Sequence, residues 1–369
     1  MTRTKLHELD ELGQSVWLDY MHRSLINSSD LRTYVEKGLR GITSNPAIYE
    51  KAISESNLYD GQIHQLSTEG KSPPEIYEEL MFEDCRRAAD ILRPVYDRSG
   101  ETDGFFSLEV DPHLAHDAKG SSEAARRFFK AVDRPNLMVK IPATPEGMSA
   151  IRSLTAEGHN INITLMFSLE QYDQVAEAFL SGLEERVNVF HELKQIDSVA
   201  SIFVSRLDTK VDALLDKMDQ PQAKALKGKA GIANAKMVYQ RFKETFQGER
   251  WQQLIEKGAQ AQRVLYGSTG TKNPNYSDVL YVENLIGPNT INTMPPETIE
   301  AFLDHGKVEL TLERDVEDAR AQLEKLEKLG INLNEVTRQL LDEGVEKFIK
   351  PFDAIMKTIT EKQAQHMHA

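Results

Sequence analysis

Eight short apolar runs, each separated from the next by a helical stretch, constrain the fold of this chain more than any other feature. Amphipathic stretches such as Ser122–Val132, Leu169–Gln195 and Gln222–Phe246 lie between the runs. Strands that alternate with helices indicate an α/β protein with a parallel sheet, and the number eight predicts a closed (β/α)8 TIM barrel. The predicted strands are Ser15–Asp19, Leu39–Thr43, Phe105–Glu109, Leu137–Ile141, Ile161–Met166, Ala200–Val204, Val264–Tyr266 and Thr290–Thr293.

Two connections are too long for a single crossover helix. Pro46–Gly104 follows strand two, and Arg206–Gln262 follows strand six. The region after strand eight carries further helical patterns at Asp315–Leu329 and Leu333–Ile359. No repeat or low-complexity linker interrupts the chain, so we expect one domain over residues 1–369, with extra helices after strands 2 and 6 and at the C-terminus.

Composition excludes several functional classes. The net charge of −14 creates a field that repels nucleic acid and anionic membranes. Apolar runs are far shorter than the ~20 residues of a membrane span. The only cysteine, Cys85, excludes an internal disulfide and is typical of a reducing compartment. We therefore expect a cytoplasmic protein with no nucleic-acid or membrane partner.

One charged residue interrupts the fourth apolar run, because Lys140 follows Leu137, Met138 and Val139 directly. Burying a charge in a strand costs several kcal/mol unless the charge is paired or neutralised. Burial shifts a lysine toward its neutral amine, which is the nucleophilic form. The alternative is an edge strand with Lys140 in water. From the residues of this strand alone, both interpretations stay open.

Polar residues stand at the ends of otherwise apolar strands, where a barrel enzyme has its active site. Strand five carries Asn162 and Thr164 on one face, because alternate residues of a strand point the same way. On strand six, Ser201 and Phe203 share a face in the same manner. The remaining residues of this set are Asp19, Asn45, Glu109, Lys140 and Arg206.

The sequence resembles the transaldolases, specifically the longer bacterial type, from Leu12 to Met356. Six motifs of that family occur in the family's order: GITSNPAIYEKAI at Gly41–Ile53, SLEVDP at Ser107–Pro112, MVKIPATPEG at Met138–Gly147, NINITLMFSLEQY at Asn160–Tyr172, ASIFVSRLD at Ala200–Asp208 and YGSTGTKNP at Tyr266–Pro274. Six ordered motifs are far more specific than any one of them.

The resemblance implies a transferase of aldehyde or ketone residues (EC 2.2.1.2) that needs no cofactor and no metal. Such an enzyme moves a dihydroxyacetone unit from sedoheptulose 7-phosphate or fructose 6-phosphate to an aldose phosphate, in the non-oxidative pentose phosphate pathway. Lys140 would form the Schiff base, and Asp19 would take the proton of the C4 hydroxyl. Glu109 and Thr164 would hold a water that moves protons.

The substrate-binding residues follow from the same resemblance. Asn45, Asn162 and Ser201 would hold the dihydroxyacetone hydroxyls, and Phe203 would form an apolar wall. For the phosphate we expect Arg206, Ser268 and Lys272, together with backbone N–H groups of the loop Gly267–Gly270. Compact transaldolases have an arginine near Lys272, so a solvated loop lysine is the alternative for that residue.

Two other functions stay open at this point. One is a fructose 6-phosphate aldolase on the same scaffold, which would release free dihydroxyacetone. The other is a barrel that binds without catalysis. The expected partners are phosphorylated sugars, and the sequence is compatible with a monomer or a homodimer.

Overall fold

Eight parallel strands close into a barrel in the order of the chain, and β1 completes the ring by pairing with β8. The computed structural model describes residues 3–190, 193 and 195–367. The strands are β1 (Gln14–Asp19), β2 (Gly41–Thr43), β3 (Phe105–Glu109), β4 (Leu137–Pro142), β5 (Ile161–Met166), β6 (Ser198–Phe203), β7 (Arg263–Gly267) and β8 (Thr290–Met294). All eight predicted strands and the (β/α)8 fold are confirmed.

Helices surround this barrel. Up to strand β6 they are α1 (Lys5–Glu11), α2 (Arg23–Asn27), α3 (Asp30–Glu36), α4 (Pro46–Ser54), α5 (Asp60–Thr68), α6 (Pro73–Arg98), α7 (Ala118–Val132), α8 (Pro145–Glu157) and α9 (Leu169–Phe190), with a short 3-10 helix at Pro112–Leu114. After β6 they are α10 (Ser205–Leu215), α11 (Pro221–Lys224), α12 (Ala230–Thr245), α13 (Glu249–Ile255), α14 (Leu280–Asn284), α15 (Pro296–His305), α16 (Val316–Lys328) and α17 (Leu333–Met367). In the described part of the chain, none of them is long and apolar enough to cross a bilayer.

The prediction of one helix over Gln222–Phe246 is wrong, because the chain forms α11 and α12 with a break between them. Gly228 lies in the break with φ +70°, a conformation that glycine adopts without steric cost. Two carboxylates of α10 fix the new helix start: Asp212 accepts from the N–H of Gly228 at 2.9 Å, and Asp208 from that of Gly231 at 2.7 Å. The residue types of Gln222–Phe246 favour one continuous helix, but the hydrogen bonds from α10 divide it into two.

The helix predicted over Leu169–Gln195 is shorter than expected. Helix α9 ends at Phe190, and Gln195 has a φ of +65°, which a helix does not contain. Residues 191, 192 and 194 lie outside the described part.

Side chains fill the amino-terminal half of the barrel, so that the ring is a packed core and not a pore. Within this layer the indole N–H of Trp17 donates to Asp103 at 2.9 Å. The buried residues of the layer are Trp17, Tyr96, Phe105, Met138, Val199, Leu265 and Ile291. The cavity of the barrel is therefore left at the carboxyl ends of the strands.

Helix α17 packs against that carboxyl end, where it contacts β5, α4 and α10. Gly344 makes the approach close: a Cβ there would lie 2.9 Å from Cδ2 of Leu165. Leu165 itself has a φ of +58° at a register shift between β5 and β6. The helix thus rests directly on the rim of the barrel.

Candidate active site

Lys140 lies inside the barrel at the end of β4, and only 6% of it is exposed. Its Nζ donates to Oε2 of Glu109 at 3.1 Å and to the backbone oxygen of Ser44 at 3.1 Å. The pairing of β3 with β4 sets Glu109 directly beside Lys140. Since β4 lies between β3 and β5, the interpretation of Lys140 as a solvated edge residue is wrong.

The Glu109 carboxyl is as buried as its partner, with 8% exposed. Burial raises its pKa above the ordinary value for a glutamate, and the Lys140 ammonium opposes that rise. A carboxyl group that holds its proton more strongly than usual, at hydrogen-bond distance from an amine, can exchange a proton with that amine. The pair thus has the geometry for acid–base work.

A short chain of side-chain hydrogen bonds fixes the amide of Asn162. Its Nδ2 donates to Oγ of Ser107 at 3.0 Å, and its Oδ1 accepts from Oγ of Ser201 at 2.7 Å. All three side chains are buried, on β3, β5 and β6. These bonds hold the amide beside Lys140, because β5 pairs with β4 so that Asn162 is opposite Lys140.

Asp19 at the end of β1 and Asn45 just after β2 also line the cavity that contains Lys140. Thr43 donates to Oδ1 of Asp19 at 3.1 Å and so orients the carboxylate. Asn45 caps α4 by accepting from the N–H of Ile48 at 3.1 Å through its own Oδ1. The cap leaves the amide NH2 of Asn45 for another acceptor.

Two polar atoms of the site are buried without hydrogen-bond partners among the described residues, namely Oγ1 of Thr164 and Nη1 of Arg206. The guanidinium carbon of Arg206 lies 4.8 Å above the ring of Phe203. Burial lowers the pKa of the guanidinium, which still carries its charge at any physiological pH. An unpaired guanidinium on an aromatic ring is well suited to bind an anion.

The loop after β7 differs in one respect from expectation. The N–H groups of Ser268 and Thr269 already donate to Thr293, at 2.7 Å to its hydroxyl and 3.0 Å to its carbonyl. The interpretation of these two N–H groups as free anion donors is therefore wrong, while Ser268 itself lines the cavity. Ser268 has a φ of +49°, which places it in the left-handed region.

These side chains share one small cavity at the carboxyl end of the barrel. The residues that line it are Asp19, Thr43, Asn45, Lys140, Asn162, Thr164, Ser201, Phe203, Arg206, Leu265, Gly267, Ser268, Thr293 and Phe348. Nine of the eleven predicted site residues are among them, and Glu109 adjoins the cavity through its bond to Lys140. Lys272 is exposed and does not line the cavity.

No role was predicted from the sequence for several residues that contact the site. Thr43 and Ser44 stand inside the TSNP segment, so their position next to Asn45 is a signal that could have found them. Ser107 opens the SLEVDP motif in the same way. Phe348 gives no such signal, because only the folding of α17 onto the barrel brings it to the cavity.

Within residues 3–190, 193 and 195–367, no group of three or more His, Cys, Asp or Glu side chains is arranged to hold a metal ion. The chemistry available at the cavity is that of an amine, carboxyl groups, hydroxyls, amides and a guanidinium.

Comparison with known proteins gives a consistent result. A family model described as transaldolase/fructose-6-phosphate aldolase matches residues 16–359. The chain is 46% identical to a transaldolase of Trichodesmium erythraeum and to transaldolase 2 of Nostoc punctiforme, over 98% of each chain in both cases. It is 44% identical to a transaldolase of Thermobifida fusca, over 98% of this chain and 99% of the relative. The chain therefore belongs to the transaldolase/fructose-6-phosphate aldolase family.

Proposed function

We propose that this chain catalyses the transfer of a dihydroxyacetone unit from a ketose phosphate to an aldose phosphate through a Schiff base on Lys140. One observation carries the proposal: a buried lysine pairs with a carboxyl group in a cavity lined by hydroxyls, amides and a guanidinium. The relatives named transaldolase support the same activity.

Schiff-base formation begins at Lys140. Its neutral Nζ attacks the C2 carbonyl of the ketose, and the carbinolamine then loses water to give an iminium ion. Glu109 takes the proton that leaves the ammonium and, with Thr164, holds the water that carries protons through these steps. The 3.1 Å contact between Nζ and Oε2 and the free Thr164 hydroxyl support these roles.

Cleavage of the C3–C4 bond follows. Asp19 accepts the proton of the C4 hydroxyl, the aldose phosphate leaves, and the bonding electron pair moves to the iminium nitrogen. The enamine that remains on Lys140 adds to the carbonyl carbon of the acceptor aldehyde, and Asp19 returns the proton to the new hydroxyl. Hydrolysis of the new iminium releases the product ketose and restores the lysine.

Substrate binding divides between two groups of residues. Asn45, Asn162 and Ser201 orient the dihydroxyacetone hydroxyls, and Phe203 forms the apolar wall. Arg206 and the Ser268 hydroxyl bind the phosphate, which fits a guanidinium whose Nη1 has no hydrogen-bond partner in the described chain. We keep Lys272 as an additional phosphate ligand that would act from the exposed loop.

Trapping the Schiff base tests the proposal. Borohydride reduction in the presence of fructose 6-phosphate should attach the sugar to Lys140, as measured by peptide mass mapping. Lys236 is the matched control, because it is equally buried, at 6% exposed, but bonds to the backbone oxygens of Thr311 and Arg314. Label on Lys236, or no label at all, would contradict the proposal, and Lys140→Ala should lose both label and transfer.

A fructose 6-phosphate aldolase is the second candidate, since the matching family model covers both activities. An aldolase would release dihydroxyacetone at a rate that does not depend on an acceptor. Coupled assays with and without erythrose 4-phosphate separate the two, and we expect turnover to require the acceptor.

We further propose that the chain works as one domain in the cytoplasm. Helix α17 lies far from the barrel strands in the sequence but contributes Phe348 to their cavity, which supports one domain. The single cysteine, Cys85, is buried as a free thiol, which suits a reducing compartment.

A further inference from the structure

Phe348 differs in origin from the other described residues of the cavity lining. Each of the others comes from a barrel strand or from the segment directly after one, whereas Phe348 comes from α17. It is 3% exposed, so the ring lies against the barrel and not in solvent. The Phe348 side chain therefore lines the cavity from a helix outside the barrel.

The ring of Phe348 lies within 6 Å of both cationic groups of the site. Its centroid is 5.9 Å from Nζ of Lys140 and 5.7 Å from the guanidinium carbon of Arg206. The ring of Phe203 lies 4.8 Å from the same guanidinium carbon and stacks in turn on Phe167, with 5.5 Å between centroids. Two aromatic rings thus contact Arg206, and one of them also reaches the reactive lysine.

The packing of α17 holds the Phe348 ring in this position. Gly344, one turn before Phe348, is buried against Leu165, and a Cβ there would also lie 3.6 Å from Nη1 of Arg206. One turn after Phe348, the ring of Phe352 packs edge-on against Tyr77, with 5.5 Å between centroids. The helix is packed against the barrel and its helices on both sides of Phe348, which holds the backbone of that residue at the rim.

We propose that Phe348 determines the outcome of the reaction by excluding water from the enamine on Lys140. This inference rests on the function proposed above. The enamine has two possible fates. Carbon C3 either forms a bond to the acceptor aldehyde or takes a proton, after which hydrolysis of the iminium consumes one water and releases dihydroxyacetone and the free lysine. An apolar ring 5.9 Å from Nζ occupies space from which water would otherwise reach the enamine.

The substitution Phe348→Ala tests this role by opening the cavity on the side of α17. The measured quantity is the ratio of dihydroxyacetone release from fructose 6-phosphate without acceptor to transfer onto erythrose 4-phosphate. We expect this ratio to rise about tenfold, while borohydride still traps the sugar on Lys140. Phe348→Leu leaves part of the apolar volume, so it should give an intermediate ratio and carries the test if the alanine variant does not fold.

Phe352→Leu is the matched control. Phe352 lies on the same helix, is 8% exposed and contacts Tyr77 and His113, but it does not line the cavity. This variant should lose a similar amount of packing and keep the wild-type ratio. A thermal unfolding midpoint for each variant shows that the comparison is made between folded proteins.

The outcomes distinguish this inference from the proposed function. If wild type transfers dihydroxyacetone and is labelled at Lys140, but the ratio stays constant in both Phe348 variants, Phe348 has no such role and the function stands. If the ratio rises equally in Phe352→Leu, the effect belongs to helix packing and the inference is wrong. If wild type is neither labelled nor active in transfer, the proposed function fails and this inference fails with it.

Discussion

The carboxyl group of Glu109 and the amine of Lys140 lie together away from solvent, because less than a tenth of each residue is exposed. Removing one partner of such a buried pair leaves the other charge uncompensated. The resulting loss of folding stability is usually larger than the stability that the intact pair contributes. The pair is therefore better explained by the chemistry of the site than by stability.

Arg206→Ala should raise KM for phosphorylated sugars about 10- to 100-fold, because a charge-assisted hydrogen bond contributes roughly 1.5–3 kcal/mol. Nη1 of Arg206 has no hydrogen-bond partner in the described chain, so the substitution breaks no protein hydrogen bond at that atom. Steady-state kinetics with fructose 6-phosphate measures the effect.

Unphosphorylated fructose and Lys272→Ala provide the controls for that measurement. The penalty of the Arg206 variant should vanish on fructose, which lacks the phosphate. Lys272 is exposed and outside the cavity, so its loss should change KM by less than about threefold. An Arg206→Ala enzyme with unaltered KM would remove Arg206 from the phosphate site.

The motifs predicted the side chains that come from strands. A strand end fixes where its side chain lies, so Lys140, Asn162 and Ser201 reach the cavity as expected. Phe348 could not be predicted, because the sequence does not say which face of α17 meets the barrel. The engagement of the Ser268 N–H by Thr293 likewise depends on the pairing of β7 with β8.

The start of α8 shows how closely one element abuts another. The Thr144 side chain caps the helix by accepting from the N–H of Gly147 at 3.1 Å. A Cβ on Gly147 would lie 2.1 Å from the backbone oxygen of Pro142, the last residue of β4. Helix α8 therefore begins in direct contact with the strand that carries Lys140.

Gly147→Ala should lower the free energy of unfolding by about 1–3 kcal/mol, since the new methyl group meets a backbone atom that cannot turn aside. Denaturant unfolding measures the loss, and kcat should fall with it because β4 must shift. Gly61→Ala is the control: Gly61 is also near a helix start but has open space around it, so alanine should be neutral or stabilise by up to about 1 kcal/mol. Equal stabilities of the two variants would refute the argument.

Among the helices and strands, the sequence predicted those whose bounds depend on local residues. It missed the bounds that depend on contacts with residues far away in the chain. Buried strands are apolar runs in the sequence, and α6 begins directly after Ser72, at two consecutive prolines, which is a local signal for a helix start. The break between α11 and α12 depends on carboxylates of α10. These carboxylates lie 16 and 23 residues before the N–H groups that they bind, so the residues around Gly228 do not reveal the break.

The opposite end of the barrel from the cavity holds a buried acid, Asp197, just before β6. Burial raises its pKa to about 7, and Arg263 opposes this rise while Asp103 adds to it. A carboxyl whose pKa is higher in the folded than in the unfolded state binds its proton more tightly when folded. Its contribution to stability is therefore largest at low pH and is lost as the pH rises.

The Asp197 contribution should decrease by about 1–4 kcal/mol between pH ~4 and pH ~7 and stay constant above. Asp197→Asn keeps the shape without the titration. The difference in free energy of unfolding between wild type and this variant isolates the residue from other titrating groups. Parallel stability curves for the two proteins over this pH range would show that Asp197 does not titrate in this way.

Closure of the ring by β1 and β8 has a consequence for how the molecule gains its activity. The Gln14 amide donates to Thr290 at 2.9 Å, which joins positions 276 residues apart. A loop of that length is closed against a large entropic cost, and contacts so distant in sequence form slowly during folding. Because residues of all eight strands line or adjoin the cavity, a partly assembled barrel has an incomplete site. After dilution from denaturant, enzymatic turnover should therefore recover more slowly than the circular dichroism signal of the helices. The delay between the two would measure how long β1 and β8 take to pair.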